Sequence, residues 1–80
     1  MTVDANLLEK ARRAPHALRF EDALRLGRQL GFQKVRQVRG HRIFRHPVLE
    51  PLSLQQSRDG LAKAWQVKRM LLAARGARHA

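Results

Sequence analysis

Four histidines are the side chains here best suited to proton transfer near neutral pH: His16, His41, His46 and His79. His41 directly follows Gly40 and is flanked by Arg39 and Arg42. A histidine beside guanidinium groups can move a proton while a phosphate is held next to it. That pairing suits attack of a ribose 2′-hydroxyl on the adjacent phosphate. His46 precedes Pro47 and suits the end of a strand, with at most an accessory role. His16, beside Pro15, and His79, close to the C-terminal end, read as structural or solvent-exposed. His41 and His46 lie five positions apart with no third ligand nearby, so no metal site is expected.

The other chemically capable residues narrow the choice. Asp4, Glu9, Glu21, Asp22, Glu50 and Asp59 are spread along the chain, and no cluster resembles a two-metal nuclease site. Ser53 and Ser57 have no local pattern that marks a nucleophile, and there is no phosphate-binding glycine loop. Cysteine is missing, which excludes disulfides and thiolate zinc sites. No cofactor is expected.

Cations dominate instead. Lys and Arg total 17 against 6 acids, giving a net charge of +11, and 13 of the 17 are Arg. The guanidinium fork matches phosphate oxygens, and so large an imbalance produces a potential of several kT. From Arg25 to Leu49 no acid occurs, and seven cations do: Arg25, Arg28, Lys34, Arg36, Arg39, Arg42 and Arg45. The five from Lys34 onward fall on two adjacent strands and form the expected phosphate-binding surface. The only aromatics are Phe20, Phe32, Phe44 and Trp65, too few for a base-stacking sheet. Phe32 and Phe44 read as core.

These residues must be placed by a small frame. Eighty residues make a single domain, 1–80, and a chain of this length buries only about 60–65% of its unfolded surface. A deep cleft is therefore not expected. Residues 4–13 read as a short helix stopped by Pro15, within an N-terminal helical extension, 1–18. A second helix is predicted over 20–30, with Glu21 and Asp22 in its first turn and Gly31 as its stop. Residues 32–39 and 41–46 read as strands reversed at Gly40, and 52–55 as a third strand. Residues 57–60 read as a turn, and a last helix is predicted over 62–74, followed by a frayed tail, 76–80. The order helix, helix, three strands, helix implies an α+β fold, a three-stranded antiparallel sheet with helices on one face. No run approaches the ~18 apolar residues of a membrane span, and no leader pattern opens the chain, so a cytoplasmic protein, monomeric when free, is expected.

Two blocks resemble the HicA family of toxins. The first runs Gly31-Phe32-Gln33-Lys34-Val35-Arg36-Gln37-Val38-Arg39-Gly40-His41-Arg42-Ile43-Phe44-Arg45-His46-Pro47. It is similar to the family's Gly-Phe at a helix end, basic strand, Gly-Ser-His turn and Ile-Phe strand entering His-Pro. The second block, Leu52-Ser53-Leu54-Gln55, Gly60 and Ala62-Lys63-Ala64-Trp65-Gln66-Val67-Lys68-Arg69, is similar to L-N-L-Q, G, A-K-P-Y-Q-V-R-Q. Arg19-Phe20-Glu21-Asp22 is also similar to members with an extra N-terminal helix. The resemblance implies a fold like the double-stranded-RNA-binding domain (dsRBD-like) and metal-independent cleavage of mRNA. It also implies control by an acidic HicB-type antitoxin that covers the active surface. Alignment through Ile43-Phe44 puts His41 on the family's catalytic histidine. Arg39-Gly40-His41 departs from Gly-Ser-His: the glycine is shifted by one and the serine hydroxyl is missing. A non-catalytic RNA-binding module is the alternative function, and a basic protein that docks an acidic partner is a third.

Overall fold

The computed structural model describes residues 3–79, with residues 76–79 described by their backbone only. Helix α1 spans Ala5–Arg13, α2 Phe20–Gln29 and α3 Ala64–His79; strands β1, β2 and β3 span Gln33–Val38, His41–Arg45 and Leu52–Gln55. The sheet is antiparallel in the order β1-β2-β3. The α+β architecture is as expected from the sequence. Among the described residues no helix is long and apolar enough to cross a membrane.

Local chemistry sets the boundaries. The Asp4 carboxylate accepts the Asn6 and Leu7 N–H groups at 3.0 and 3.1 Å and caps α1. The Asp4 N–H donates to Gln29 Oε1 at 2.8 Å and ties α1 to the end of α2. A short 3-10 helix, Pro15–Ala17, then turns the chain, with Pro15 buried. Helix α2 ends in a Schellman motif: Gly31 at φ +99° donates to Arg28 O and Phe32 to Gly27 O, both at 3.0 Å. Phe32 is therefore a buried capping residue, not the first strand residue.

The β1–β2 turn is the two-residue pair Arg39-Gly40, with φ +48° and +82°. Two successive positive φ values describe a type I′ turn, whose twist suits the flanking strands. A register shift between Lys34 and Arg36 leaves Val35 without a partner on β2, which accounts for the imperfect alternation of this strand. The turn 57–60 forms as expected, closed by Gly60 N–H to Ser57 O at 3.1 Å. Ala62 precedes the last helix: it pairs with Gln56 in an isolated bridge, and Lys63 O accepts the Gln66 and Val67 N–H groups of the first turn of α3. Helix α3 also passes its expected end at Ala74 and continues to His79. The segment expected as a frayed tail is thus helical to that point, and Ala80 lies outside the described residues. An interior Gly such as Gly76 weakens a helix by only about 1 kcal/mol and does not have to end it.

The core joins Leu7 and Ala11 of α1, Phe20, Ala23 and Leu26 of α2, Val67 and Met70 of α3, and Phe44, Leu52 and Leu54 of the sheet, with Phe32. The helices thus cover the sheet face that carries Phe44, Leu52 and Leu54. They do not cover β1, all six of whose residues are exposed. Val35 and Val38 are its only apolar residues, too few to hold a helix against it. The covered sheet is in effect two strands wide, β2 and β3, and β1 stands outside it as an exposed edge strand with Lys34 and Arg36.

Candidate active site

Strand pairing places His41 on the uncovered face. Residues directly opposite in an antiparallel pair share a face, and alternate residues along a strand do so too. One row on this face is Val38, His41 and Gln55; the next is Arg36, Ile43 and Ser53. Phe44, Leu52 and Leu54 point the other way into the core.

His41 is half-buried at the first position of β2, next to the turn. Its Nδ1 lies 3.2 Å from Ser53 Oγ, across to β3. A hydroxyl can donate to an imidazole nitrogen or accept from it. The Ser53 hydroxyl therefore supports His41 with the proton on either nitrogen, and also the doubly protonated ring.

His46 is held differently. Its Nδ1 accepts the N–H groups of Val48 and Leu49 at 3.0 and 3.1 Å, which requires a lone pair there. Its Nε2 lies 3.0 Å from Leu30 O and must donate to it. One neutral tautomer satisfies all three bonds, and His46 cannot gain or exchange a proton without breaking some of them. The ring also packs 4.9 Å from Phe32. A Cβ at Gly31 would stand 2.8 Å from His46 Nε2, so glycine is required there for space as well as for its φ. His46 joins the end of α2 to the loop after β2, a structural duty that fits its expected place at a strand end. His16 is exposed, and the His79 side chain lies outside the described residues.

The five expected phosphate contacts divide between faces. Arg36 is a diagonal neighbour of His41, with Cα atoms about 7–8 Å apart for that relation. Arg45 is on the same face near the other end of β2, paired with Gln33. Arg39 is exposed at the hairpin tip beside His41. Arg42 and Lys34 are placed on the opposite face by the same register. The Arg42 guanidinium lies 4.7 Å from the centroid of the Phe20 ring, a cation–π contact that covers the edge of the core. The expectation that Arg42 clamps a phosphate beside His41 is therefore corrected. Immediate neighbours in a strand point to opposite faces, so adjacency to His41 in sequence separates the two side chains.

Among the described residues, the ion pairs are Arg12–Glu9, Arg25–Asp4 and Arg25–Asp22, and none involves a hairpin cation. The positive field of Arg36, Arg39 and Arg45 is thus not offset by paired carboxylates. Among the described residues, no group of three His, Asp or Glu side chains is arranged to hold a metal ion.

Two site residues escaped the sequence reading. Ser53 had a usable signal, since the alternation Leu52-Ser53-Leu54-Gln55 puts Ser53 and Gln55 opposite the buried leucines. Gln66 had none. It is 1% exposed, and its Oε1 accepts the Gln55 N–H at 2.8 Å. It thereby fixes the strand residue that faces His41. Comparison of the chain with protein-family models, curated proteins and solved structures finds no match.

Proposed function

We propose that this protein is a metal-independent endoribonuclease of the HicA type, with His41 as general acid or base and mRNA as substrate. The observation that carries the reading is the His41–Ser53 pair on an uncovered, basic sheet face. The resemblance of both sequence blocks to HicA toxins supports it, and with it the finer reading of the fold as dsRBD-like. The family turn's serine is missing here, but β3 brings a different hydroxyl to the same histidine.

In this reading the RNA backbone lies across the hairpin, with Arg36, Arg39 and Arg45 on phosphates. His41 Nε2 takes the proton of a ribose 2′-hydroxyl as O2′ attacks the adjacent phosphorus. The bond from phosphorus to the 5′-oxygen breaks, and that oxygen leaves as it takes a proton from water. The products are a 2′,3′-cyclic phosphate and a 5′-hydroxyl. The arginines offset charge that grows on the phosphoryl oxygens, and the Ser53 hydroxyl oxygen accepts from Nδ1–H, which holds the ring with Nε2 as the base and stays paired in the imidazolium that forms. A HicB-type acidic antitoxin would cover the same basic face in the cytoplasm and block RNA from a toxin that is monomeric when free.

The test is cleavage of mRNA by purified protein in EDTA. General acid–base catalysis contributes about 10²–10⁴-fold, and His41→Ala should lose that much while it still binds RNA. Cleavage by His41→Ala at the parent rate would remove the assignment. RNA binding by the parent protein without cleavage would instead identify a non-catalytic RNA-binding module. With three cations on phosphates, log affinity should fall against log salt with a slope of roughly −2 on single strands.

A further inference from the structure

The side of the molecule away from His41 carries an apolar surface that the proposed chemistry does not use. A groove of about 1040 Å³ runs between α1, α3 and the loop after β2. Its floor includes Val3, Leu8, Leu30, Leu49 and Leu71, all half-buried against the core. Arg12, Lys68 and Arg75 stand along its walls. A second hollow of about 410 Å³ adjoins it, with Val48 and Arg69 in its lining. Leu49 and Leu72 line both, so the two form one surface with Leu72 at the join. Leu72 is 68% exposed and Val48 76%. Trp65, 59% exposed, is seven positions before Leu72, and Lys68 and Arg69 fall between them on the same side of α3.

We propose that this surface docks an acidic amphipathic helix of a partner protein. The concave aliphatic floor fits the apolar stripe of a helix about 10–12 Å across. The four cations Arg12, Lys68, Arg69 and Arg75 are placed to meet carboxylates on either side of that stripe. Two acids border the surface: Glu9, whose carboxylate pairs with Arg12 at 3.3 Å, and Glu50. Cations still predominate. A polynucleotide gains little from a floor of leucine and valine, and a flat bilayer cannot follow a concave one. A second copy of this chain would bring another +11 charge against the first. Helix α3 lies on the covered face of the sheet, so a partner bound here leaves the His41 face open. The proposal does not rest on the ribonuclease reading.

The probe is a synthetic peptide of roughly 18 residues, long enough to populate a helix, with Leu at i, i+3, i+4 and i+7 positions and Glu elsewhere. Trp65 is the single tryptophan of the chain, so its emission reports binding directly. The full protein should bind the peptide saturably, with a blue shift of Trp65, and more weakly as salt rises. Leu72→Glu should weaken binding by about tenfold or more. Leu72 is exposed, so this variant should keep the parent's circular dichroism and its thermal transition. Lys68→Glu with Arg75→Glu should also weaken binding, and His41→Ala should leave it unchanged. Equal binding of a peptide with the same composition but scrambled leucines would overturn the proposal. So would parent-like affinity of Leu72→Glu. A surface that ignores the peptide but takes an RNA oligonucleotide or phosphatidylglycerol vesicles, lost with Leu72→Glu, would overturn it in favour of those ligands.

Discussion

His41 and His46 should respond to truncation in opposite ways. His46→Ala removes three hydrogen bonds and the packing of the ring on Phe32. The Val48 N–H is exposed and can turn to water, whereas Leu30 O and the Leu49 N–H are partly buried. Each of those two left unmade costs about 1 kcal/mol, and the lost ring contact adds about 0.5–1.5 kcal/mol. The sum is about 3 kcal/mol, or about 12–24 °C in Tm for a domain of this size. His41→Ala gives up one 3.2 Å bond to Ser53 at an open strand end. The Ser53 hydroxyl left behind can find water, so the cost should stay below about 1 kcal/mol. Urea unfolding followed by circular dichroism measures both, beside RNA cleavage per folded molecule. The expected pattern is an unstable but active His46→Ala and a stable but inactive His41→Ala. If His46→Ala fails to fold, His46→Gln, which keeps one donor and one acceptor, should fall between parent and alanine in Tm. A His46→Gln or His46→Ala protein as stable as the parent would refute the locked-tautomer argument. So would a His41→Ala protein less stable than either.

Other perturbations separate stability from binding. Arg39 holds φ +48° at the hairpin tip, a region asparagine tolerates better, so Arg39→Asn should gain about 0.5–1 kcal/mol in thermal unfolding. Under the proposed RNA contact of Arg39, the same change should also lower the salt slope of RNA binding by about 0.7. Gln66→Leu leaves the Gln55 N–H without its partner beside the core and should cost about 1–3 kcal/mol, measured by urea unfolding. The Asp59 carboxyl is held below its ordinary value of 3.8 by the Ser57 hydroxyl, 2.6 Å away, and then by the Leu61 N–H. A depressed folded value means that its contribution is present above the unfolded value and is lost as pH falls through the folded one. Carboxyl NMR should show Asp59 titrating below 3.8. Asp59→Asn should remove that part of the acid dependence of stability.

Much of the fold was legible because its boundaries are chemical and local. Pro15 stops the first helix, Gly31 takes the left-handed position and Gly40 completes the turn, each through its own geometry. The errors of placement share a different cause. Phe32 and Ala62 were assigned to the elements they adjoin, but Phe32 donates back to Gly27 O and packs on His46, and Ala62 donates to Leu18 O. The expected arginine clamp failed in part for the same reason. Adjacency drew Arg42 to His41, while the register set by β1 and β3 sends Arg42 to Phe20.

The sequence alone determined the charge, the order of helices and strands, and a histidine placed beside a tight turn in a basic hairpin. These follow from residue type and from contacts within a few positions. Tertiary structure decided which sheet face stays open, which arginines share it, and which histidine is tied to three backbone groups. His41 and His46 are the same side chain five residues apart. Only packing across β3 gives one a hydroxyl that can donate or accept, and only the end of α2 gives the other a carbonyl that accepts from a single tautomer.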